Sequence, residues 1–160
     1  MRNQKGKNMI DKIVNLLKNH FAENLIALVV FGSYARGDFR ESSDIDLFVI
    51  IEGLPQRHFE RTTLMSSLLT PNFSRRITAI AKTKKEFLSS FPPLYLDLAL
   101  DGQVAYDTGG FMKERLAEIE GIIEQAGLFR EKKETQGHRW DWHVRPKKGW
   151  AIDWQGYREL

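Results

Sequence analysis

FGSYARGDFRESSDIDLFVII, residues 31–51, is the stretch on which the reading of this chain turns. It opens where the apolar run Leu25–Phe31 finishes, a run that reads as a buried strand. The turn Gly32-Ser33 follows. Small residues there let the backbone approach a ligand closely, and a helix starting at the turn would aim its free N–H groups at an anion. The stretch closes in a second strand, Asp44–Ile51, with two acids two residues apart. Side chains alternate faces along a strand, so Asp44 and Asp46 share one face while Ile45, Leu47 and Val49 take the other. Two carboxylates side by side on a rigid strand suit a hard divalent cation such as Mg²⁺, which takes oxygen ligands and needs only one or two from protein. A phosphate grip and a metal clamp on adjacent strands make a nucleotide site. The plainer reading, a serine N-cap ahead of an acidic strand face, leaves two like charges on one face unexplained.

Gly32-Ser33, ten residues, then Asp44-x-Asp46 resembles the signature of the DNA polymerase beta-like nucleotidyltransferase superfamily. The fuller strings, Gly32-Ser33-Tyr34-Ala35-Arg36-Gly37 and Ser43-Asp44-Ile45-Asp46-Leu47, are most similar to its small branch, the minimal nucleotidyltransferases (MNT), many of them encoded beside HEPN-domain toxins. The resemblance covers about residues 8–126. It implies an α/β (α+β) nucleotidyltransferase fold, a mixed and mostly antiparallel sheet with helices packed on it. It also implies Mg²⁺-dependent transfer of a nucleoside monophosphate, AMP from ATP before other NTPs, to an acceptor hydroxyl. A tyrosine of a HEPN toxin is one implied acceptor, which would make the chain an antitoxin. A catalytically silent antitoxin, and transfer to a small molecule such as an aminoglycoside, stay open beside it.

In that superfamily an acid on a later strand completes a set of three carboxylates, and by position Asp97 resembles it. The residues themselves point the same way, since Leu94–Leu100 alternates like a strand, with Tyr95, Asp97 and Ala99 on one face. Pairing of that strand with the one bearing Asp44 and Asp46 would bring three carboxylates together around two Mg²⁺ ions. The plainer and less favoured reading makes Asp97 a solvent-facing residue of an amphipathic strand. Asp101 competes for the role, although its place beside Gly102 suits a hairpin turn. Ser33 is expected to donate to a phosphate oxygen, with Gly32 allowing the approach. Arg36 could pair with phosphate or with an acid of a partner. Ser43 is expected to cap or orient the metal strand.

The 160 residues, 42% apolar and 28% charged, belong to a globular chain large enough for a proper core. A net charge of +3 permits contact with nucleic acid without demanding it. The absence of cysteine excludes disulfides and thiolate zinc sites. The four histidines show no metal-ligand spacing. No apolar run approaches the roughly 20 residues that span a bilayer, and the basic start precedes an amphipathic pattern rather than a signal core. The expected location is the cytoplasm.

One domain with an appendage is expected: 1–127, the nucleotidyltransferase domain, and 128–160, a basic extension that holds all four tryptophans and packs on or extends that domain. In the first, residues 1–7 read as frayed. Helices are expected from Met9 to about Asn24, over Arg57–Leu69, from Thr83 and over Phe111–Gln125. Strands at Arg76–Lys82 and Gln103–Tyr106 join those already named. Indoles interleaved with Arg and Lys could stack nucleic-acid bases. The favoured reading is an arm folded back on the sheet, because indoles this dense are costly to leave in water.

Overall fold

A computed structural model describes residues 2–134 and 137–160. The chain order is α1 (Arg2–Phe21), β1 (Leu25–Phe31), α2 (Gly32–Arg36), β2 (Ile45–Ile51), α3 (His58–Leu69), β3 (Ile77–Lys82), α4 (Lys84–Ser89), α5 (Leu94–Asp101), β4 (Gln103–Asp107) and α6 (Phe111–Ala126). Four short strands follow: β5 (Leu128–Lys132), β6 (His138–Trp142), β7 (Trp150–Asp153) and β8 (Gly156–Glu159).

The main sheet runs β3-β2-β1-β4. β1 is antiparallel to both β2 and β4, and β2 is parallel to β3. The sheet is thus mixed and mostly antiparallel, as expected. β1 and β2 are apolar at odd and even positions alike, the pattern of central strands covered on both faces. Leu28, Val30, Leu47, Val49 and Ile51 pack under α1 and α3, whereas Val29, Phe48 and Ile50 pack with Phe87 of α4, Tyr95 and Leu98 of α5, and Met112 and Leu116 of α6. Helices therefore sandwich the sheet.

The largest correction concerns residues 94–101. They form the helix α5, not a strand. Pro92 and Pro93 fit the opening of a helix, where no backbone donor is needed, and the Tyr95 and Leu96 N–H groups bond back to the Pro92 and Pro93 carbonyls. In Leu94-Tyr95-Leu96-Asp97-Leu98-Ala99, apolar residues sit at almost every position, so the alternation carried little information. Tyr95, Leu96, Leu98 and Ala99 are all buried, as a helix pressed into a core requires. Asp101-Gly102 is consequently the end of a helix rather than a hairpin. β4 does follow as an edge strand. At the other end of the chain, α1 starts at Arg2, so residues 2–7 extend the helix instead of fraying. Gly6 is where it passes Tyr34 of α2, and a side chain there would collide with the tyrosine hydroxyl.

The extension folds as two β-hairpins, β5–β6 and β7–β8. Two of its indoles serve as anchors. Trp154 packs against Phe87, Phe91 and Tyr95 and donates from its indole N–H to the Ser90 carbonyl at 2.9 Å. Trp140 joins the same apolar cluster. Trp142 and Trp150 instead pack on each other, with Trp150 half exposed. Among the described residues, no helix is long and apolar enough to cross a membrane.

Candidate functional site

The site lies at the end of β1 and the start of β2, which are hydrogen-bonded neighbours with Phe31 opposite Asp46. The chain leaves β1 through Gly32, at φ +73°, directly into the short helix α2. A Cβ on Gly32 would overlap the Asp46 carboxylate, whose Cγ lies 3.2 Å from that point. Glycine is thus needed twice over, for the left-handed backbone and for the room it leaves the acid. The backbone of the turn and the acid of β2 are in contact, which puts the two halves of the sequence motif in one place.

Asp44 immediately precedes β2, and Asp46 is the sole residue of that strand that is not buried. Asp46 shares parity with Phe48 and Ile50 and therefore points to the face covered by α5 and α6. Burial raises the Asp46 carboxyl above its usual range, the negative charge of Asp44 raises it further, and the positive charge of Arg36 opposes both. All three groups therefore share one electrostatic neighbourhood. Two crowded carboxylates, one of them partly desolvated, form a hard oxygen donor set whose repulsion a divalent cation would relieve. On that chemistry the residues fit Mg²⁺.

Ser33 lies one residue beyond Gly32, in the first turn of α2. Ser43 closes the turn before β2: its hydroxyl accepts from the Arg40 N–H at 2.9 Å, while its own N–H donates to the Arg40 carbonyl at 2.9 Å. Arg36 ends α2 and donates to Asp38 and to Asp101, each at 3.4 Å.

Asp97 is placed differently from expectation. On α5 it cannot reach Asp44 and Asp46 by strand pairing. Its Oδ1 accepts instead from Arg130 of β5 at 3.0 Å and from the Trp140 indole of β6 at 2.9 Å. Among the described residues, no group of three or more His, Asp or Glu side chains is arranged to hold a metal ion. The residue beside Asp46 on the neighbouring strand is Thr78 of β3, whose hydroxyl lies 3.5 Å from Asp44.

Three residues at the site were missed in the sequence. Besides Thr78 these are Arg76, 3.6 Å from Asp44 but largely exposed, and Arg75. Arg75 lies over the rings of Tyr34 and Phe39 and donates to the Ser43 carbonyl at 3.4 Å. The signal was the basic pair just ahead of β3. Parallel pairing of β3 with β2, had it been recognised, would have brought that pair alongside the acids.

Comparison with known proteins agrees with this geometry. The family described as polymerase beta, nucleotidyltransferase matches residues 11–90, half of the chain. A Methanocaldococcus jannaschii protein, named provisionally a protein adenylyltransferase, is 32% identical over 122 residues, covering 74% of this chain and 83% of that protein. A crystal structure of a toxin-antitoxin with AMP-PNP superimposes with TM-score 0.51 at 20% identity, covering 72% of this chain and 87% of the other. A Shewanella oneidensis complex of a tri-AMPylated HEPN toxin with its MNT antitoxin gives TM-score 0.50 at 19% identity, covering 76% and 87%. The two structural matches speak for the fold; the matched half of the chain, with its glycine turn against Asp46, shows that this protein is a nucleotidyltransferase of the polymerase beta family.

Proposed function

We propose that this protein transfers AMP from ATP to a hydroxyl of a partner protein, with a tyrosine of a HEPN-type toxin as the acceptor and antitoxin action as the outcome. The observation that carries this reading is the contact of the Gly32 turn with the Asp46 carboxylate, which brings the start of α2 and the pair of acids to one place. The M. jannaschii relative, named for protein adenylyltransfer, and the AMPylated toxin bound to the Shewanella MNT support the choice of acceptor.

In this reading Asp44 and Asp46 hold Mg²⁺ with the triphosphate, and Ser33 donates to a phosphate oxygen where Gly32 leaves the backbone uncovered. Arg36, at the end of the helix that starts at Gly32, neutralises phosphate charge. Ser43 and Arg75 fix the turn that presents Asp44. The bound cation supplies neutralisation of charge developing on the phosphates. The acceptor oxygen bonds to the α-phosphorus as the bond to the pyrophosphate oxygen breaks. Pyrophosphate leaves with the electron pair, and the hydroxyl proton passes to a carboxylate or water at the site. Asp97 is proposed as the anchor of the C-terminal extension, because Arg130 and Trp140 already occupy it.

One observation favours a second reading, a binding module without turnover: β3 places Thr78, not an acid, beside Asp46. Incubation with isotope-labelled ATP, Mg²⁺ and lysate of the native host, followed by mass spectrometry, separates the two. A protein gaining AMP with wild type and not with Asp46→Asn establishes the transferase. Nucleotide binding without any labelled protein supports the binding module.

A further inference from the structure

The end of α5 carries an ionic chain that joins the C-terminal extension to the nucleotide site. Arg130 of β5 is nearly buried, its side chain 7% exposed, and its guanidinium lies between two acids one helical turn apart. It meets Asp97 at 3.0 Å, and Asp101 twice, at 2.7 and 2.9 Å. Asp101, 12% exposed, is also the acid approached by Arg36, at 3.4 Å. Arg36 in turn ends α2, the helix whose first residue, Gly32, lies against the Asp46 carboxylate. Next to this chain, the Gln103 side chain donates to the Ala35 carbonyl at 2.8 Å, fixing the end of α2 against the α5–β4 corner. Two cations thus share Asp101. The buried one holds it at short range with two contacts; the half-exposed one holds it weakly.

We propose that Arg130 is a positioning residue for Arg36: by saturating Asp101, it leaves Arg36 free to face the nucleotide phosphates. Remove the Arg130 guanidinium, and Asp101 keeps, among the described residues, a single cation partner, Arg36. A poorly solvated carboxylate beside one remaining partner closes on it, and the arginine swings away from the phosphate position. The two hairpins of the extension then act on the nucleotide site through Arg130 and Asp101. This rests on the reading above that Arg36 binds phosphate.

Binding of a fluorescent ATP analogue with Mg²⁺, together with AMP-transfer kinetics, tests the idea on the full chain. Arg130→Met is expected to weaken nucleotide binding and raise KM for ATP about tenfold, with kcat within about twofold of wild type. Adding Asp101→Asn to that variant removes the competing charge and is expected to return KM to within about threefold of wild type. A purely structural Arg130 would give no such rescue. Unchanged KM in Arg130→Met overturns the proposal, as does a folded double variant that stays weak. Should Arg130→Met fail to fold, Asp101→Asn alone decides: affinity kept or tightened supports the proposal, and affinity lost refutes it. If wild type itself binds no nucleotide, the fault lies with the functional reading rather than with Arg130.

Discussion

Replacing Gly32 by alanine separates backbone strain from damage to the site, because Gly37 supplies a matched control. Both glycines hold positive φ, +73° and +82°. An L-residue in that region costs about 1–2 kcal/mol. At Gly37 nothing lies within 4 Å of the added methyl, so strain is the whole effect. At Gly32 the methyl falls on the Asp46 carboxylate and must push the acid aside or tilt α2 off the end of β1. A displacement of ~1 Å in a reacting group costs on the order of 100-fold in rate. Both variants should therefore unfold at temperatures lower by about 2–8 °C in a chain of this size. Gly37→Ala should keep kcat/KM within a few-fold, while Gly32→Ala should lose about 100-fold or more. Calorimetry and transfer of labelled AMP give the two readings. If Gly32→Ala turned over as well as Gly37→Ala, the contact between turn and acid would have no part in the chemistry, and the site would have to be sought elsewhere.

Asp44→Asn and Asp46→Asn should each abolish transfer with little loss of stability, since neither carboxylate anchors a buried network; retained activity would remove both from the metal site. Asp97→Asn should lower stability by about 1–3 kcal/mol through its bonds to Arg130 and Trp140. Lost turnover in an equally stable variant would instead restore the carboxylate role read from the sequence. Trp154→Ala removes an indole packed on three aromatic rings and should cost about 2–4 kcal/mol by urea unfolding; a cost below 1 kcal/mol would show the hairpins to be loosely attached. The Glu86 carboxyl is held down to about 2, chiefly by its hydrogen bonds from Arg61 and further by those from Thr83. A lowered acid stabilises the fold above its unfolded value, 4.5, and that contribution fades as pH falls toward 2. Because the Glu86 side chain is 41% exposed, solvent screening reduces the effect to about 1 kcal/mol. Glu86→Gln should flatten the stability curve over that window, and an unaltered curve would refute the pairing.

The nucleotide half of the fold was legible because its signals are local and mutually consistent. A fully apolar β1, a glycine turn and a polar break at Asp46 each have one structural reading. α5 was misread because Leu94–Leu100 is apolar at nearly every position, and a segment buried on several sides shows neither helical nor strand period. Prolines both interrupt and open helices, and Pro92-Pro93 opens one. The misreading of α5 also set Asp97 on a strand, where it would have paired alongside Asp44 and Asp46. Thr78, Arg75 and Arg76 were hidden for another reason: they reach the acids through a parallel pairing of β2 with β3, and nothing local encodes such a partner. The hairpins of the extension escaped notice because their strands are four or five residues long, too short to display a period.

The burial pattern of β2 bears on how such a protein can diverge. Six of its seven positions are sealed in the core, and Asp46 alone is not. A substitution at any of the six is punished through folding whatever the protein's task, whereas Asp46→Asn, which keeps the shape packed against Gly32, is expected to be felt by the chemistry alone. If Asp46 holds the metal as proposed, catalysis and foldability are under separate selection within a single strand. A lineage could pass from enzyme to inert binder in one step, with its architecture untouched.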